Sequence, residues 1–255
     1  ALPAHELVLH ANEALPAQVE RQLAQDLPLL QQGTPLQQVL GEAEFYGLTL
    51  KVTPDVLIPR PETEELVDLT VRQCQHSPAL RIWDLGTGSG CIAIALAKHL
   101  PQAEVYATDL SEPALAVARA NAEANHATIR FARHDMLDAT NLPFGDTRFD
   151  ILVSNPPYIP AALRSTMHRN VVAHEPHSAL FVPDENPLLF YEALAQIGKH
   201  CLIPHGKIYA ETFEGYHKEL EAMFLSHGYA DFQSLEDING KKRMVYVTTH
   251  YASQR

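Results

Sequence analysis

Two short stretches carry residue types suited to chemistry. Residues 153–158 read VSNPPY and residues 84–90 read DLGTGSG. In the first, consecutive prolines follow an apolar run. Neither has a donor N–H and each ring fixes φ, so neither sheet nor helix continues through them. The stretch therefore stops a strand abruptly, with Asn155 at its end and Tyr158 on a stiff turn beyond. A rigid set of hydrogen-bond acceptors results. In the second stretch, Gly86, Gly88 and Gly90 alternate with Thr87 and Ser89, so the backbone can approach a ligand without interference from Cβ atoms. A helix N-terminus behind such a loop offers free N–H groups to an anionic group. Asp109 lies 25 residues after Asp84 and ends the next strand-like run. A carboxylate there can accept from both hydroxyls of a ribose.

The loop is not the G-x-G-x-x-G of a nicotinamide-dinucleotide site, and it has no lysine for phosphates. An acid followed by G-x-G-x-G, with a second acid at the end of the next strand, is the pattern of S-adenosylmethionine (AdoMet) methyltransferases. RHDM extends it: Asp135 can accept from an adenine amine, and Met136 can pack on the ring face. A glycine-rich turn with no ligand is the plainer alternative, and the two further acids argue against it.

With a methyl donor beside it, VSNPPY acquires a role. A conjugated NH₂ group has a delocalised lone pair, and the ~18–20 kcal/mol rotation barrier of an amide measures how strongly. Acceptors on both N–H hydrogens hold the nitrogen, favour pyramidalisation and stabilise the positive charge that develops. The Asn155 side-chain oxygen and the Pro156 carbonyl are the expected acceptors, Pro157 stiffens the turn, and the Tyr158 ring packs on the planar group. Asn155 also borders the cofactor. A simple Asn-Pro turn is the plainer alternative.

The elements that must position these residues alternate. Strands are expected at 80–85, 104–109, 128–135, 149–155 and 207–213, and helices at 91–100, 112–125, 186–201 and 214–227. Ser111 is the expected N-cap of the second helix, with Pro113 in its first turn. FDILVSN is almost wholly apolar, as a strand buried on both faces should be. Residues 231–249 read as two strands around Asn239–Gly240. Upstream, residues 1–43 read as short helices broken by Pro16, Pro28 and Pro35, with Leu23, Leu27 and Leu30 on one face. Residues 44–58 read as a hairpin around Gly47 with a turn at Pro54–Asp55, and a helix starts in PRPETEELV. The expected fold is α/β: a mostly parallel sheet with an antiparallel C-terminal hairpin.

The bulk properties exclude several classes. No apolar run approaches the ~20 residues of a membrane span. ALPAHELVLH lacks the layout of a signal peptide, and the chain begins at Ala1 rather than Met. Cys74, Cys91 and Cys201 are odd in number and form no CxxC, so a reducing cytoplasm is expected and no disulfide framework. A net charge of −12 argues against a protein that coats DNA. HEPH at 174–177 is not HExxH, and no metal site is expected.

NPPY is shared by adenine-N6 nucleic-acid methyltransferases and protein glutamine-N5 methyltransferases. The fuller set FYGLTLKV, VLIPRPETEELV, DLGTGSGCIAIALA, FDILVSNPPYI and EP-AL resembles the release-factor glutamine methyltransferase family, from about Gly33 to Val247. The resemblance implies a helical N-terminal domain (1–43), a linking hairpin (44–58) and a seven-stranded Rossmann-like AdoMet methyltransferase domain (59–255). It implies transfer of a methyl group from AdoMet to the glutamine of the Gly-Gly-Gln loop of class I peptide-chain release factors. A monomer with no direct DNA contact and no membrane association is expected. Carried over, Gly86, Thr87, Gly88, Ser89 and Gly90 form the cofactor loop, Asp109 holds the ribose, and Met136 lies near the adenine. Asn155, Pro156, Pro157 and Tyr158 bind the substrate glutamine; Arg60 and Glu62 lie near the cleft, and DINGKKR (237–243) is a structural hairpin. The chain departs from the family in a shorter N-terminal region, in FVPDENPLL after EP-AL, and in ETFEGYHKEL. A ribosomal-protein glutamine methyltransferase, an adenine-N6 methyltransferase and a non-catalytic AdoMet-binding partner of the termination machinery are the alternatives.

Overall fold

The computed structural model describes residues 14–77 and 79–249. ALPAHELVLH and the start of the 1–43 segment lie outside the described residues. Helix α1 (Ala17–Gln31) follows Pro16, and α2 (Leu36–Leu40) follows Pro35. Pro28 does not break α1. Its missing N–H falls in the last turn, and its carbonyl accepts from Gln32 N–H. The stop comes instead at Gly33 (φ 92°). There Gly33 N–H donates to Leu30 and Thr34 N–H to Leu29, a Schellman closure. Leu23, Leu27 and Leu30 share a face, yet α1 has no buried residue.

Strands β1 (Glu42–Phe45) and β2 (Leu48–Lys51) form the hairpin, with β1 starting before residue 44. Tyr46 (φ 48°) and Gly47 (φ 75°) make its two-residue turn, both left-handed as a type I′ turn requires. Helix α3 (Pro61–Cys74) places Pro61 in its first turn.

The central sheet has seven strands in the order β10-β11-β9-β6-β3-β4-β5. These are β3 (Arg81–Leu85), β4 (Glu104–Asp109), β5 (Ile129–Arg133), β6 (Phe149–Ser154), β9 (Leu202–Glu211), β10 (Tyr229–Glu236) and β11 (Lys242–Thr249). The pairings from β5 to β9 are parallel, and β11 pairs antiparallel with β9 and β10. Between them run α4 (Cys91–His99), α5 (Glu112–Ala124), α7 (Leu189–Cys201) and α8 (His217–Ser226). Ser111 caps α5 by accepting from Ala114 N–H.

Side chains of alternate strand residues go to opposite faces. Trp83, Leu85, Leu152 and Ile208 pack with Leu194, Ile197 and Phe224 of α7 and α8. Ile82, Ile151, Val153 and Tyr209 pack with Leu66, Val67, Ile94 and Leu96 of α3 and α4. The sheet is thus covered on both faces, which is why its central strands read as apolar runs.

One segment departs from expectation. After β6 the chain makes a two-residue strand β7 (Ile159–Pro160), a 3₁₀ turn (Ala161–Thr166), helix α6 (Arg169–His174) and strand β8 (Phe181–Val182), which pairs with β7. The HEPH residues are occupied here. His174 ends α6, Glu175 reaches the linker before α3, and a His177 ring nitrogen bonds the Val172 carbonyl. Among the described residues no cluster of three His, Cys, Asp or Glu is placed to hold a metal ion, and no helix is long and apolar enough to cross a membrane.

Asn121, buried on α5, ties the hairpin to the glycine loop. Its Oδ1 accepts from Lys51 N–H (2.7 Å), and its Nδ2 donates to the carbonyls of Lys51 (2.9 Å) and Ser89 (2.8 Å). Asn121→Ala orphans these groups and is expected to cost about 1–3 kcal/mol. Urea unfolding should show a lower midpoint at unchanged slope.

Candidate functional site

Strand order reverses beside β3: β4 lies on one side and β6 on the other. A ligand cleft is expected outside the carboxyl ends of the strands at such a point. A cavity of about 510 Å³ lies there. The 86–89 loop, Asp109, Asp135, Met136, Asn155 and Pro157 line it, together with the linker 54–60 and the 176–181 segment. Gly90, Pro156 and Tyr158 lie outside its lining.

The glycines divide by role. Gly86 (φ 74°) and Gly88 (φ 55°) would direct a Cβ into open space, with no heavy atom within 4 Å. Gly90 (φ 85°) would place one 3.3 Å from Ala118 Cα, so its smallness serves the approach of α4 to α5. Gly86 and Thr87 N–H both donate to the Thr108 carbonyl, which fixes the loop to β4.

Asp84 lies fully buried beneath the loop. Its Oδ2 accepts from the Thr87 hydroxyl (2.6 Å) and Ala93 N–H (3.2 Å), while Oδ1 has no partner among the described residues. Burial pushes its pKa up to about 7, against the pull of those two donors. Asp109 accepts from Gly88 N–H and Ser111 N–H, both at 2.9 Å. Burial raises its pKa as well, and the two N–H donors oppose the shift. Cys91 also lines the cavity; burial pushes its thiol up to about 12, so it stays protonated and inert. The exposed Asp135 caps the turn after β5 by accepting from Leu137 N–H, and Met136 is buried against the cavity.

A cradle of two glycines facing open space and a strand-end acid, with the buried Asp84 carboxylate beneath it, suits a ligand carrying positive charge and a ribose. AdoMet has both, so the residues present fit it.

Asn155 sits at the end of β6, where Ser154 pairs with Ala210 of β9. Its Nδ2 donates to Thr63 Oγ1 (3.0 Å), and Thr63 donates to Glu211 Oε2 (2.6 Å). The other Glu211 oxygen accepts from the Tyr158 hydroxyl (2.9 Å), so Tyr158 turns toward the sheet. Burial raises the Glu211 pKa, and the Thr63 and Tyr158 hydroxyls pull it back. Among the described residues no hydrogen bond occupies Asn155 Oδ1 or the Pro156 carbonyl.

Sequence reasoning misses Thr63, Glu211 and Glu175. Thr63 belongs to PRPET, where Arg60 and Glu62 draw the eye by their charge; Glu211 is the lone acid in an apolar strand. Glu175 accepts from Ile58 N–H (3.1 Å) and pairs with Arg60 (2.5 Å), which clasps the linker to the 176–181 wall.

The comparisons agree with this geometry. The methyltransferase small domain family model matches residues 66–177. A release factor glutamine methyltransferase of Bacteroides thetaiotaomicron is 46% identical over 226 residues, which is 89% of this chain and 80% of that protein. One of Flavobacterium psychrophilum is 41% identical over 221 residues, 86% of this chain and 76% of that protein. A solved methyltransferase structure from Pyrococcus furiosus shares the fold at 15% identity, with a TM-score of 0.58 over 92% of this chain and 100% of that one. With a motif set, a cleft and relatives of this identity and coverage in agreement, the chain belongs to the release factor glutamine methyltransferase family.

Proposed function

We propose that this chain transfers a methyl group from AdoMet to the side-chain amide nitrogen of the glutamine in the Gly-Gly-Gln loop of class I peptide-chain release factors. The observation that carries it is the Asn155 side chain, held by Thr63 at the wall of the cavity with its oxygen free among the described residues. Gly86, Thr87, Gly88 and Ser89 hold the cofactor's charged end, Asp109 its ribose, and Asp135 and Met136 its adenine. Gly90 shapes the loop through its packing on α5. Bound AdoMet supplies an electrophilic methyl group on a cationic sulfur.

Asn155 and the Pro156 carbonyl accept from the two N–H groups of the substrate amide, aim its nitrogen and stabilise the charge that develops there. Pro157 stiffens that carbonyl, and Tyr158 supports the loop through Glu211. No strong base is required, because the proton leaves after transfer. Positioning supplies most of the catalysis. The partner is a folded protein whose exposed loop enters the cleft, and the net charge of −12 steers basic surface toward it. The division into 1–43, 44–58 and 59–255, a monomeric state and a cytoplasmic location complete the reading.

The test offers labelled AdoMet with a purified class I release factor beside unmethylated duplex DNA, followed by peptide mapping. Label on the Gly-Gly-Gln glutamine is the expected result. Label on adenine, or none on either with AdoMet still bound, overturns the proposal.

A further inference from the structure

We infer that Glu211, acting through Thr63, is a positioning residue that decides which way round the Asn155 side-chain amide faces. The inference rests on the proposed role of Asn155 as an acceptor for the substrate amide.

The two ends of an asparagine amide are almost equal in size, so packing alone does not choose between them; hydrogen-bond partners do. Glu211 sits at the end of β9, 2% exposed, and an ionised carboxylate only accepts. The Thr63 hydroxyl, 2.6 Å away, must therefore direct its single proton to Glu211. Its oxygen then has only lone pairs left for the neighbour 3.0 Å away on Asn155. That neighbour must be the NH₂ end. The carbonyl end of Asn155 is left to face the cavity, which is the end an N–H substrate needs. If Glu211 could donate, Thr63 could turn its proton to Asn155. The amide would flip and present NH₂ to NH₂, a repulsive pairing at the reacting atom.

The Thr63 and Tyr158 hydroxyls favour the accepting form of Glu211, against burial, which opposes it. Tyr158 donates to its second oxygen, and Arg243 of β11 favours the charge. Glu62 of α3 opposes it, and Tyr191 of α7 donates to the Glu211 backbone carbonyl. Burial moves the Glu211 pKa upward, so the relay fails from the acid side as pH falls.

The test combines Thr63→Val, Thr63→Ser, Glu211→Gln, Asn155→Ala and the Thr63→Val/Asn155→Ala double variant. Each is assayed for methyl transfer to a release factor across pH, with AdoMet binding by calorimetry as the check on the fold. Thr63→Val removes the hydroxyl at constant shape and should lower kcat about 10–100-fold, the usual loss when an orienting partner goes. AdoMet affinity should be retained. Thr63→Ser, which keeps the hydroxyl, should restore most of the rate. Glu211→Gln should be slow and lack the acid limb of the wild-type pH profile. The double variant should be no slower than Asn155→Ala alone, because both changes remove one interaction.

Wild-type kcat in Thr63→Val, or losses that multiply in the double variant, would overturn the positioning role while leaving Asn155 as proposed. Full activity in Asn155→Ala would overturn both readings together.

Discussion

Asn155→Ala is expected to lower methyl transfer about 10²–10³-fold, the usual loss when one preorganised hydrogen-bonding group is removed at a transition state. AdoMet affinity is expected to change far less. The separation follows from the layout. The proposed cofactor cradle is built on β3 and β4, from the 86–89 loop, its bonds to the Thr108 carbonyl, and Asp109. Asn155 stands just past the end of β6, across the point where the strand order reverses, and is held by α3 through Thr63. Alanine leaves the cradle in place and removes the acceptor. The amide nitrogen then keeps its conjugation, and no group favours the pyramidal geometry that methyl transfer demands. Single-turnover methylation of a release factor, with calorimetric titration of AdoMet on the same preparation, reads the two quantities apart. Near-wild-type turnover in the alanine variant would exclude this role for Asn155.

The parts of this site that are legible in the sequence are those fixed by local chemistry. The glycine loop is readable because positive φ favours glycine, as at Gly86 and Gly88, and Gly90 adds a close approach to α5. The strands β3, β4 and β6 are readable because burial on both faces fills most of their positions with apolar residues. Asp109 is readable because it ends a strand. What escapes notice depends on pairing across the chain. Thr63 meets Glu211 across 148 residues, and Ile58 meets Glu175 across 117. No periodicity signals such a contact.

The residue pattern places the start of β9 at 207. The strand begins at Leu202, which pairs with Phe149; residues 203–206 then bulge out, with His205 at φ 65°, and pairing resumes at Lys207 opposite Ile151. Its far end, expected at 213, falls at Glu211. The C-terminal turn also differs in detail. Asn239–Gly240 suggests a two-residue turn, yet only Gly240 is left-handed. Asp237 closes a longer loop by accepting from the N–H groups of Asn239 and Lys241.

Asp84 leads to the second large effect. Its pKa is about 7 in the folded chain, and an unfolded aspartate titrates near 3.9. Between those values the folded state binds more protons than the unfolded state, so stability falls as pH rises, and it levels off above 7. The gap between the two values corresponds to a loss of about 4 kcal/mol. Asp109 and Glu211 are raised too and add to the same slope.

Asp84→Asn removes the buried charge and keeps an acceptor for Thr87. It should match the wild type in thermal stability near pH 4 and exceed it at pH 8. AdoMet affinity should run the other way. A cationic ligand favours the ionised carboxylate, so wild-type affinity should rise with pH through 7, by at most about tenfold per pH unit below it. The variant should bind weakly at every pH. Equal stability slopes in the two proteins, or an affinity independent of pH in the wild type, would contradict this account. The predicted exchange of stability for affinity also explains why an acid with one unpartnered oxygen stands beneath the loop. In the free protein it is a cost, as strain held at functional sites generally is. A cationic ligand above the loop would make the ionised form favourable.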